Sequence, residues 1–136
     1  MKNKILFLLR LLSAGILLQT LFFKFSGAKE SIFIFSSLGA EPWGRWISGG
    51  FELVASILLL LPSTQALGAL LAAGVMAGAI LSHILILGVV VENDGGLLFG
   101  LALVVFSSSL IVLYDQRNSL FVLLDNLRRK RRGEYS

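Results

Sequence analysis

The sequence predicts an all-α membrane protein: a four-transmembrane-helix bundle followed by a C-terminal amphipathic cytoplasmic helix. Three observations lead there. The chain of 136 residues is 56% hydrophobic and only 15% charged, and its mean hydropathy is +0.85. A soluble domain of this size could not cover so much apolar surface, so the bilayer must act as its solvent. Apolar runs fall at residues 5–25, 44–61, 66–91 and 96–114, each near the ~20 residues needed to cross hydrocarbon. Basic charge collects at the two ends of the chain.

The breaks between the runs are chemically sensible. Gly39 and Pro42 interrupt the first connection, Pro62-Ser63-Thr64 turns the second, and Glu92-Asn93-Asp94-Gly95 turns the third. Trp43 and Trp46 open the second run, where an interfacial aromatic belt would place them. Residues 31–38 mix Ile32, Phe33, Ile34 and Phe35 with serines and are too short to cross, which predicts an interfacial or re-entrant piece on the outer side. The first run begins with Lys2 and Lys4 like a signal peptide. Arg10 interrupts it and no small-residue cleavage site follows, so it is expected to stay as a helix.

With four spans both termini share a side. The N-terminal segment, including Arg10, and the tail hold nine of the twelve Lys and Arg residues. Lysine and arginine flank the cytoplasmic ends of spans, which predicts cytoplasmic termini in an inner membrane. Two units follow, residues 1–114 as the transmembrane domain and 115–136 as a basic tail. In 118–132, Leu120, Leu123, Leu124 and Leu127 share a stripe opposite Asn118, Asp125 and Arg129, a pattern for lying on membrane lipid or on a partner protein. The run from Arg128 to Arg132 reads as a topology signal. It lacks the aromatic or glycine-rich company of a nucleic-acid site, so no nucleic acid is expected.

Lys24, Glu52 and His83 are the informative residues, because a charge in hydrocarbon costs roughly 2.5–3.5 kcal/mol even on the lenient scale. At 1.5 Å per residue, all three and Gln19 reach the outer half of the bundle. Arg10, Ala14, Leu17, Leu21 and Lys24 share one stripe, and Ser48, Glu52 and Ser56 another. Ala72, Met76, Ala79, Ile80 and His83 form a third, and Gly96, Gly100, Leu103, Ser107 and Tyr114 the fourth. Gly74-x-x-x-Gly78 and Gly96-x-x-x-Gly100 suggest close helix approach, within the chain or in a homodimer. Arg10 lies near the inner face and is expected to reach lipid phosphate.

A carboxylate, an imidazole and an ammonium around a semi-apolar cavity suit a quinone head group and its protons. Each residue also has a plainer role: Lys24 snorkelling outward, Glu52 paired structurally with Lys24, His83 packed, Gln19 bridging helices. No catalytic residue is assigned. A metal would need more ligands than Glu52 and His83 supply, and paired haem ligation needs a second histidine. Cysteine is absent, which excludes thiol and iron–sulfur chemistry.

The succession Arg10…Gly15…Lys24-Phe25, Gly39…Pro42, Gly49-Gly50-Phe51-Glu52-Leu53, Leu61-Pro62 and Met76…Ala79…His83 resembles the DoxX-like integral membrane proteins over roughly residues 5–114. The resemblance implies a four-helix bundle in the bacterial cytoplasmic membrane, with Lys24, Glu52 and His83 at the matching polar positions. In that family the DoxD branch is a membrane subunit of a thiosulfate:quinone oxidoreductase. Other members associate with oxidative-stress enzymes, and distant relatives act as assembly chaperones or cargo receptors. This chain departs in the spacing between Gly39 and Pro42 and in its basic tail.

Three functions fit. The first is a quinone-contacting or accessory subunit of a redox or oxidative-stress complex, which would need a soluble redox enzyme as partner because no electron-carrier motif is present. The second is a non-enzymatic scaffold or assembly factor. The third, a small proton-coupled permease, has no inverted repeat behind it.

Overall fold

The computed structural model describes residues 2–91 and 94–133, and within them the ordered elements are all helical. The elements are α1 (Lys2–Ser26), α2 (Lys29–Ser37), α3 (Trp43–Leu60), α4 (Gln65–Ser82), α5 (Leu97–Asp115) and α6 (Arg117–Arg131). A π-helical turn, His83–Leu87, continues α4. Among the described residues three helices are long and apolar enough to cross a membrane: Lys2–Ser26, Gln65–Leu87 and Leu97–Asp115. The helix α3 is shorter and carries Arg45 and Glu52.

The long helices pack in a closed ring. The helix α1 lies between α3 and α5, and α4 closes the ring on the other side of both. Leu17, Leu59, Ala55, Ala69, Val105 and Val112 fill the centre. The exterior is apolar as well: Leu8, Phe22, Ile57, Leu81 and Ile111 are among many large side chains left exposed. In water such a surface would associate, whereas in lipid it needs no cover.

Two arginines tie the antiparallel α1–α3 pair at its ends. Arg10 does not reach toward lipid phosphate as expected. It turns inward, donating from Nε to the Leu59 carbonyl at 2.6 Å and from a terminal nitrogen to the Leu60 carbonyl at 3.1 Å. Those carbonyls belong to the last turn of α3, which lacks intrahelical partners and carries the negative end of the helix dipole. Arg45, near the start of α3, donates in turn to the Lys24 carbonyl in the last turn of α1, and Glu41 holds its other donors at 2.8–3.1 Å. Each arginine thus stays inside an apolar bundle by capping the neighbouring helix.

The glycines act differently from the motif reading. A Cβ on Gly68 would meet the Leu59 nitrogen at 2.5 Å, and one on Gly49 would meet the Phe25 ring at 2.8 Å, so these two set the close approaches. Gly74, Gly78 and Gly100 of the GxxxG pairs have open space instead.

Two helix expectations need correction. The third run was expected to stay helical to residue 91, but the helix stops at Leu87. Gly88, with φ at +81°, takes the chain out of the helix, and hydropathy alone does not register that break. On α5 the buried face is Ala102, Val105, Ser108, Ser109 and Val112, whereas Leu103 and Tyr114 of the expected stripe are exposed. The helix is apolar nearly all round, so periodicity there has little to report. Of the turn residues in the third connection, Glu92 and Asn93 lie outside the described residues.

Candidate functional site

At the ring's end where α1 and α4 finish and α3 and α5 begin, the helices enclose a cavity of about 640 Å³. Its wall is mostly apolar, and Lys24, Glu52 and His83 all line it. Three helices therefore deliver one ionisable residue each to a common space. That volume falls within the ~300–1,000 Å³ usual for small-molecule sites.

Glu52 sits on the buried face of α3, in register with Ser56 and Ser48, and is 1% exposed. Its Oε1 pairs directly with the Lys24 ammonium. Lys24 Nζ also donates to Ser48 Oγ at 2.8 Å and lies 5.6 Å from the centre of the Phe35 ring. The Thr20 hydroxyl stands 3.1 Å from Glu52 Oε2 and 2.9 Å from the Leu17 carbonyl, so its one proton is shared between them. The carboxylate is thus compensated by a cation and a hydroxyl, the condition for keeping charge in a low-dielectric interior.

His83 is held from two sides. Its Nδ1 lies 2.9 Å from the Gly88 carbonyl, while its own carbonyl accepts the Gly88 N–H at 2.7 Å. A carbonyl can only accept, so Nδ1 carries a proton, and in the tautomer with a single proton Nε2 is the acceptor. Nε2 has no partner among the described residues. The Phe99 ring of α5 meets the imidazole edge-on at 5.5 Å, and the side chain is 5% exposed. The π turn opens the helix where the ring needs Gly88, an irregularity frequent at functional sites.

The helix α2 roofs the cavity with Ser31, Ile34 and Phe35. The expected interfacial piece is therefore a helix laid over the site. Asp94 stands at the rim, taking the N–H groups of Val91 at 3.0 Å, Gly96 at 2.8 Å and Leu98 at 3.1 Å. Desolvation works to raise its carboxyl pKa, but the three backbone donors and the nearby His83 outweigh it, and the group stays below its ordinary value.

One expected residue is elsewhere. Gln19 is exposed and outside the cavity wall, because it follows the Leu17–Lys24 stripe by about 200° from Leu17. Thr20 takes the place expected for it. Sequence reasoning passed over Thr20 and the capping role of Asp94, although Thr20 lies one turn before Lys24. Among the described residues no cluster of three or more His, Cys, Asp or Glu could hold a metal.

A family model described as DoxX matches residues 5–85. The matched stretch includes Lys24, Glu52 and His83 and ends within the π turn, before α5. No curated protein and no solved structure matches the chain.

Proposed function

The chain belongs to the DoxX family, and from that premise we propose that it is a four-span subunit of a redox or oxidative-stress complex that holds a quinone head group in the cavity. The observation that carries this reading is the meeting of Lys24, Glu52 and His83 in one mostly apolar space. The fourth span in this reading is α3. Its charges argue against crossing only while unpaired, and Arg45 and Glu52 are both neutralised inside the ring. Lys2 and Asp115 pair at 2.6 Å, so the start of α1 and the end of α5 lie together. The basic residues gathered at that end favour a cytoplasmic side for both termini of an inner-membrane protein. The helix α6, with no buried residue, would rest its leucine stripe on lipid or on the soluble redox partner.

The donor set fits a quinone. Lys24 and Ser48 would face a carbonyl oxygen of the quinone, and His83 Nε2 would accept from a hydroxyl of the reduced quinol. When bound, a quinone supplies reversible two-electron, two-proton chemistry. Glu52 holds the Lys24 ammonium in place. His83 can take or give a proton at Nε2 while the Gly88 carbonyl fixes the other nitrogen. The helix α2 would cover part of a bound head group with Ile34 and Phe35.

A scaffold is the second reading, favoured by the complete pairing of Glu52 within the chain. Purification in nanodiscs, with mass spectrometry of extracted small molecules and co-purifying proteins, separates the two. A stoichiometric quinone in wild type that is lost in folded Glu52→Gln supports the redox subunit. Lipid alone in both, with the same protein partner retained, supports the scaffold.

A further inference from the structure

A second hollow adjoins the polar cavity on the outside of the ring. Smaller, at about 580 Å³, it lies against α3 and α4, walled by Val54, Leu58, Leu67, Leu70 and Leu71. Phe51, Gly74 and Val75 line both spaces, so the two adjoin there. At that junction a Cβ on Gly74 would meet no heavy atom within 4 Å, and the same holds for Gly78, one turn closer to His83 on the cavity wall. Val54 and Leu70 are about half exposed, at 48% and 45%, and would face hydrocarbon. The α3–α4 interface is closely packed where Gly68 meets Leu59, whereas Gly74 and Gly78 leave room around a Cβ.

We propose that the gap between α3 and α4 at Gly74 and Gly78 is a lateral portal for a membrane-dissolved amphiphile. Its polar head sits in the cavity and its long apolar chain lies in the outer hollow. This rests on the cavity being a ligand site, and it names the ligand class: an uncharged head with an oxygen acceptor, carried on an isoprenoid or acyl chain. The head must be uncharged because Lys24 and Glu52 already cancel. Its acceptor oxygen would take the Ser48 and Lys24 donors, and in a hydroxyl-bearing form the head would donate to His83 Nε2 at the cavity wall. The chain enters from the side because hydrocarbon prefers the bilayer to water.

The test uses the full-length protein in nanodiscs with three probes: an isoprenoid quinone bearing a diazirine on its tail, a monoacylglycerol labelled likewise, and an unlabelled tail-less quinone. After photolysis, tail adducts of the quinone are expected to concentrate on Val54, Leu58 and Leu70, and excess tail-less quinone should displace them. Gly74→Leu, whose Cβ enters open space at the junction, should cut those adducts several-fold in protein verified as folded, and Gly74→Ala should cut them less. Adducts spread evenly over the exterior, or unchanged in both variants, with tail-less quinone still binding, would overturn the portal and leave the cavity reading intact. Concentration of the monoacylglycerol label at the hollow, with no binding of either quinone, would keep the portal and overturn the quinone reading. No enrichment of either label and no quinone binding would overturn both.

Discussion

The Lys24 ammonium and the Glu52 carboxylate meet directly across the α1–α3 interface, 28 residues apart in the chain. The two ends of this pair differ in access to solvent: the glutamate side chain is 1% exposed and the lysine 16%. Removing one partner of a fully buried pair costs about 3–5 kcal/mol, because the other charge is left uncompensated. Lys24 has a long stem that can carry its charge outward, so Glu52→Gln is expected to cost less, about 1–3 kcal/mol. Lys24→Met combined with Glu52→Gln should recover much of that loss. Thermal melting in detergent of wild type, both single variants and the double variant measures the coupling; additive losses would mean that the pair contributes nothing to stability.

Arg10 offers a second test. Arg10→Met strips the Leu59 and Leu60 carbonyls of their donors at the end of α3, and charged hydrogen bonds of this kind contribute about 1.5–3 kcal/mol each way they are measured. The loss should appear first as faster proteolysis in the 61–64 turn, before global melting changes. If Arg10 only touched lipid phosphate, cleavage there would be unaltered.

The glycines divide into two classes with opposite expectations. Gly68→Ala drives a Cβ into backbone atoms of Leu58 and Leu59 at 2.5–2.8 Å, and such overpacking costs about 1–3 kcal/mol. Gly74→Ala enters open space and should leave the melting temperature unchanged or slightly raised. Equal losses at the two positions would refute the packing described for α3 and α4.

Asp94 predicts a pH dependence. Its carboxyl pKa is lowered from 3.8, so its contribution is fully present above that ordinary value and is lost as pH falls through the lower folded value. Stability should therefore be insensitive to Asp94 protonation at neutral pH and decline only in acid below about pH 4. Asp94→Asn should remove that part of the acid limb, and Asp94→Ala should cost about 1 kcal/mol at neutral pH as a lost cap. Melting curves between pH 3 and 7 check both; identical acid limbs in wild type and Asp94→Asn would count against the cap.

The candidate site was legible in sequence where depth and face could both be computed. Helix rise set Lys24, Glu52 and His83 at one level, and the stripes through Leu17 and Ser56 turned the first two inward. Gln19 shows the limit: depth matched, but the face did not, and a hydroxyl one residue on made the contact. Arg10 and Arg45 were out of reach because their acceptors are backbone carbonyls of other helices, 49 and 21 residues away. The GxxxG motifs misled for a related reason, since a small residue either admits a neighbour or leaves a space, and only tertiary packing decides which. Gly88 ended α4 through a positive φ that an apolar run conceals.

The most direct measurement exploits Trp43, which lines the cavity. Tail-less quinone is titrated into nanodisc-embedded protein while tryptophan fluorescence is followed, for wild type, Glu52→Gln and His83→Leu, each verified as folded. Saturable quenching is expected in wild type, weakened by about tenfold or more, ~1.4 kcal/mol, in both variants. Linear quenching of equal slope in all three proteins would contradict the quinone reading.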